Sequence, residues 1–163
     1  MSMIILRQKQ YNKKPTVYLL CGLPGSGKST WCKNNYPDLP IVSRDIIRFK
    51  LGYTSKPDEK AVLDNKKENR VTEEEYKLMK KYLISGTNFI IDDTNLKIEY
   101  RKPLIDFLHK NGAYIIGVNF YIPLKVCIER RKYQIPKEAM INLSQSGNKL
   151  TKKEVDEIIN VKG

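Results

Sequence analysis

Cysteine and histidine are scarce in this 163-residue chain. Cys21, Cys32 and Cys127 form no C-x-x-C pair, and His109 is the lone histidine, so neither a structural zinc site nor a disulfide scaffold is expected. The three thiols read as small buried hydrophobes in a reducing compartment. Apolar runs are short. None approaches the length that crosses a bilayer, and the stretch Met3–Leu6 is too brief for a signal-peptide core. A cytosolic protein is the expectation. Acids are also in short supply: 18 Asp and Glu against 30 Lys and Arg leave a net charge of +12. Such an excess favours polyanionic partners through attraction and counterion release, nucleic acid foremost. A solvated lysine surface would account for the same number.

The length suits one domain, residues 16–163, preceded by an N-terminal extension over 1–15. Strands are expected at Thr16–Cys21, Pro40–Ser43, Asn88–Ile91 and Ala113–Ile122, each a short apolar run. Helices are expected from Lys28 to before Pro37 and over Asp45–Leu51 and Leu96–Lys110, with two more opened by Pro123 and Pro136. Thr72 with Glu75 reads as a capping box for a helix to about Ser85, which leaves 52–71 mostly irregular. Thr151 with Glu154 reads as a second box, starting a last helix that ends near Val161. This alternation predicts an α/β fold: a parallel sheet of about four to five strands, helices on both faces and a short helical lid.

Directly after the first strand comes Gly22-Leu23-Pro24-Gly25-Ser26-Gly27-Lys28-Ser29, the full G-x-x-x-x-G-K-[ST] pattern of a phosphate-binding P-loop. Its glycines let successive N–H groups turn toward phosphate oxygens, and the helix that follows aims its positive end at the same anion. Gly22, Pro24, Gly25, Ser26, Gly27, Lys28, Ser29 and Thr30 are therefore the expected ATP-binding residues. Lys28 serves the β- and γ-phosphates, and Ser29 serves Mg²⁺, with water-mediated help from Asp45 or Asp92.

The acceptor needs a carboxylate at the carboxyl end of a neighbouring strand. Ser43-Arg44-Asp45 and Asp92-Asp93-Thr94-Asn95 both qualify. Asp45 is the candidate general base, though a first-turn acid also serves a helix dipole. Arg44 and Arg48, spaced i, i+4, suit a phosphate on the acceptor, or are simply a surface arginine pair. Asp93, Thr94 and Asn95 could orient acceptor or metal water, or cap the next helix. Arg130 and Arg131 stand where a lid could close on transferring phosphate.

GLPGSGKSTW, SRDIIR and IIDDTNL, in that order and ahead of a basic segment before Ile135-Pro136, resemble the 5′-hydroxyl polynucleotide kinases, specifically the kinase domain of the phage end-healing enzyme. The resemblance spans nearly everything after residue 15. It implies an ATP- and Mg²⁺-dependent transfer of the γ-phosphoryl group to the 5′-hydroxyl of DNA or RNA. It places the base at Asp45, the acceptor-phosphate arginine at Arg48 and an acceptor contact at Thr94. The lid is shorter here than the family's, which leaves its arginine open between Arg130 and Arg131. No D-x-D-G-T stretch occurs, so only the 5′ step is implied. Two other readings fit part of the pattern: a small-molecule kinase, zeta-toxin-like or metabolic, and a non-catalytic, nucleotide-gated RNA-binding module.

Overall fold

The computed structural model describes residues 14–59 and 61–163; most of the extension expected over 1–15 lies outside them. Five parallel strands form the sheet in the order β2-β3-β1-β4-β5. They are β1 (Thr16–Cys21), β2 (Ile41–Val42), β3 (Phe89–Ile91), β4 (Tyr114–Tyr121) and β5 (Glu157–Lys162). The helices are α1 (Lys28–Asn35), α2 (Arg44–Lys50), α3 (Asn65–Ser85), α4 (Ile98–Lys110), α5 (Leu124–Arg131) and α6 (Lys137–Ser146). No described helix is long and apolar enough to cross a membrane.

The central strands are buried on both faces, which is why they read as apolar runs without alternation. Val17, Leu19 and Cys21 point into one core with Met79 and Leu83 of α3 and Leu104, Ile105 and Leu108 of α4. Leu20, Ile90, Val118 and Phe120 point the other way, onto Cys32 of α1. There Trp31 meets Phe120 edge-on at 6.0 Å and Tyr36 at 5.6 Å. All three cysteines are free and buried, as composition suggests.

Two expected elements differ. The third helix starts at Asn65, seven residues before the anticipated box. Asp64 is its cap and accepts from the Lys67 N–H at 2.8 Å. Thr72 sits mid-helix, donating to Glu68 O, and Glu75 faces inward. The longer helix buries one stripe, Val71, Glu75, Met79 and Leu83, and a start at Thr72 would forfeit its first residue. At the other end, the helix expected after Thr151 is a strand. The box does close, Glu154 Oε2 accepting from Thr151 N at 2.9 Å and Oγ1 at 3.1 Å. Yet Asp156 N already donates to Ile115 O, and Ile158, Ile159 and Val161 run alongside β4. Long-range pairing of β-branched residues overrides a local helix start.

With β1 between β3 and β4, the chain reverses direction across the sheet at β1. The crevice beyond the strands' carboxyl ends opens there, and the phosphate loop, the β2–α2 junction and the β3–α4 loop converge on it.

Candidate functional site

The loop is shaped by what its glycines permit. Gly25 and Gly27 have φ of 81° and 87°, the left-handed region. A Cβ on Gly22 would sit 2.8 Å from both Phe120 Cβ and Ser26 Oγ, so only glycine lets the strand end pass β4. Lys28 Nζ donates to Gly22 O at 3.0 Å and Leu23 O at 2.8 Å, bridging the turn. Ser26 Oγ is buried with no protein partner among the described residues. A buried hydroxyl of this kind costs stability unless something else satisfies it, and phosphate oxygens fit that role.

A cavity of about 640 Å³ joins the loop to the acceptor side. Pro24, Gly25, Gly27, Lys28, Ser29 and Thr30 line it from the loop; Arg44, Asp45, Arg48, Asp92, Asp93 and Thr94 line it from across the sheet. Gly22 and Ser26 are buried and do not line it. Ser29 Oγ donates to Asp92 Oδ2 at 2.9 Å, joining Ser29 to one of the two acids expected to help it at Mg²⁺.

On α2, capped by Ser43, Asp45 Oδ1 accepts from Arg48 Nη1 at 2.9 Å. Arg48 continues to Glu68, with Nε–Oε1 at 3.0 Å and Nη2–Oε2 at 3.1 Å, a bidentate fork. Arg44 also reaches α3, meeting Glu68 at 2.8 Å and Glu75 at 2.7 Å. Burial works against the Glu68 carboxylate, but the bonds from Arg48 and Arg44 hold it below the usual carboxylate range. Asp93 goes the other way: burial, then the nearby Glu75 charge, push it well above that range, against the Arg44 N–H that it accepts at 2.9 Å.

The D-T-N turn is locked to β1. Gly22 N donates to Thr94 O at 3.0 Å; Asn95, at φ 47°, turns its amide onto Leu20 O at 2.8 Å. Asn95 O accepts from Arg101 Nη1 at 3.0 Å. Arg101 is only 1 % exposed and forks onto Glu154, Nε–Oε1 at 2.8 Å and Nη2–Oε2 at 3.0 Å, while also donating to the carbonyls of Asn148 and Lys149. Asn95 is thus spent on the strand end and lies outside the phosphate-loop cavity, unlike Asp93 and Thr94.

On the lid, Arg130 Nη1 donates to Gly25 O at 2.9 Å, and Arg131 lines the cavity with Nη1 on Gln134 Oε1 at 2.7 Å. Both arginines therefore sit at the loop.

Glu68, Glu75 and Arg101 escape a motif reading, because each acts through a partner far along the chain. A trace of two was present: Glu75 stands in the stripe Val71-Met79-Leu83, and Arg101 in Leu104-Ile105-Leu108. A charge at a core position implies a paired charge.

Residues 17–144 match the AAA domain family. Among solved structures, a chain of the Pnkp1/Rnl/Hen1 RNA repair complex is 23 % identical, TM-score 0.70, over 85 % of this chain and 46 % of that one. The present chain thus spans under half of that chain's length. A sugar kinase from Janibacter sp. is 16 % identical, TM-score 0.62, over 91 % of this chain and 85 % of that one. The APS kinase CysC of Mycobacterium tuberculosis, solved with AMPPNP and APS, is 16 % identical, TM-score 0.56, over 90 % and 88 %. At these identities the likeness establishes the fold alone, that of the P-loop kinases.

Proposed function

The chain belongs to the AAA domain family, and we propose that it transfers the γ-phosphoryl group of ATP to the 5′-hydroxyl end of a polynucleotide. One observation carries this reading: a single cavity holds the phosphate loop's Lys28 and Ser29 together with the carboxylate of Asp45 and the guanidiniums of Arg44 and Arg48. Donor phosphates belong at the loop. Asp45 stands across from it, where an acceptor hydroxyl would give up its proton as its oxygen bonds to the γ-phosphorus and the bond to the β-phosphate oxygen breaks. Arg48 and Thr94 hold the acceptor's 3′-phosphate, a negative group that a simple sugar alcohol lacks.

Ser29 and Asp92 suit Mg²⁺, which would neutralise charge on the β- and γ-phosphates. Arg131 borders the cavity while Arg130 is tied to Gly25 O, so Arg131 is the better placed of the two to meet phosphate. The net charge of +12 fits a polyanionic acceptor.

The test is incubation with labelled ATP and 5′-hydroxyl oligonucleotides, DNA against RNA. Label should reach the 5′ end, and KM for the oligonucleotide should rise steeply with salt, since each phosphate contact adds about 0.7 to the single-strand slope of log affinity on log salt. Label moving to a small metabolite, and to no 5′ end, overturns the reading in favour of a small-molecule kinase.

Glu68 enters as a positioning residue. It fixes the planes of both arginines from α3. Glu68→Ala should lower kcat/KM for the acceptor about 10–100-fold, largely through KM, because a side chain displaced by about 1 Å costs that much. KM for ATP should stay close to the parent value. Steady-state kinetics with each substrate varied in turn will show the split; an equal rise in both KM values would assign Glu68 to folding instead.

A further inference from the structure

A second cavity, of about 740 Å³, opens between α3 and α4. It shares Arg44, Asp93 and Thr94 with the phosphate-loop cavity. An acceptor held at Thr94 therefore has this space as its next neighbour. The volume is within the roughly 300–1,000 Å³ of small-ligand pockets.

Its charges largely cancel. Glu68 and Glu75 are paired to Arg44, and Arg101 to Glu154. Lys97 and Glu99, of opposite sign, remain on the α4 side. Asn65, Thr72, Asp93, Thr94 and Asn95 add further polar lining, and what is left of the wall is aromatic and aliphatic. Tyr76 is braced edge-on by Phe107 at 4.8 Å, and Tyr100, 74 % exposed, supplies a second ring. The first cavity is thus lined by cations suited to phosphate, and the second is near-neutral with aromatic walls. A planar, uncharged group one phosphate away from the reacting nucleoside matches that change of character, because base–aromatic stacking tolerates any base.

We propose that this cavity binds the base of the acceptor's second nucleotide, with Tyr100 and Tyr76 as its stacking faces. The inference rests on the polynucleotide reading above and adds a length requirement to it.

The experiment compares kcat/KM for a nucleoside 3′-phosphate with that for the corresponding dinucleotide 3′-phosphate, in the parent and in Tyr100→Ala. The parent should favour the dinucleotide about tenfold or more, in line with the worth of one stacked base. In Tyr100→Ala that ratio should fall toward 1, and because Tyr100 is mostly exposed the variant should fold. Equal kcat/KM for the two acceptors, or an unchanged ratio in Tyr100→Ala, overturns the second site while leaving the first reading in place. Failure of both acceptors and of longer 5′-hydroxyl strands overturns both.

Discussion

Asp45→Asn should bind ATP as the parent does and lose phosphoryl transfer by about 10²–10⁴-fold, the usual worth of a positioned general base. The amide keeps the shape of the carboxylate and can still offer an oxygen to Arg48 Nη1, which Asp45 Oδ1 meets at 2.9 Å. It cannot take a proton. Two alternatives are separated by magnitude. If Asp45 only complemented the dipole of α2, its loss would cost about 0.3–1 kcal/mol of stability and leave turnover intact. If it only steered Arg48, the asparagine would retain most activity, and KM for the acceptor would carry the change. A fall confined to kcat, with an unaltered ATP dissociation constant and an unaltered Tm, is the signature of the base. Wild-type turnover by Asp45→Asn would remove Asp45 from that role.

The second large effect falls on stability. Arg101→Met should destabilise the protein by about 3–5 kcal/mol, the range for breaking a buried ion pair from one side. Methionine fills most of the volume but strands the Glu154 carboxylate and the carbonyls of Asn95, Asn148 and Lys149. Glu154 keeps 22 % of its side chain exposed, so water offsets part of the loss and the lower end of the range is expected. Adding Glu154→Gln should recover part of the deficit, because the stranded charge goes with it. Denaturant unfolding of the two single variants and the double measures both effects. No loss in Arg101→Met would show that the buried pair is dispensable.

The same pair sets an acid limit. Burial opposes the Glu154 carboxylate, but the Arg101 and Thr151 bonds bring its pKa below the ordinary value. A depressed folded pKa contributes stability above the unfolded value, about 4.3 for a glutamate, and that contribution is lost as pH falls from there through the folded pKa. Parent stability should therefore drop below about pH 4.3, and Arg101→Met should lack this share of the slope.

The residues proposed to touch phosphate were legible because their geometry is local. Gly22 to Ser29 needs only its own backbone torsions and the helix it opens, and both are written in eight consecutive residues. Asp45 and Thr94 were legible nearly as well, since each follows a short apolar strand whose carboxyl end has only one place to go in a parallel sheet. The supports behind them were not. Glu68 lies twenty residues from Arg48, in a segment that reads as irregular; it becomes a partner only because Asp64 starts α3 early and α3 packs beside α2. Arg101 looks like any helix arginine until Glu154, 53 positions away, is folded against it.

Thr151 and Glu154 give the clearest contrast. Their capping box is real and local, and read alone it predicts a helix. The edge of β4 was unpaired at Ile116–Tyr121, and the chain after Glu154 satisfied it as β5 instead. By itself, then, the sequence determined the phosphate loop, the parallel α/β frame and the acids at the strand ends, because short-range torsions and strand burial dictate them. Only the tertiary structure decided what holds those groups in place: the Glu68 fork, the Arg101 lock, the fifth strand and the cavity beside α4. Each of these depends on contacts whose partners are distant in the chain, and no local pattern encodes which distant partner will be met.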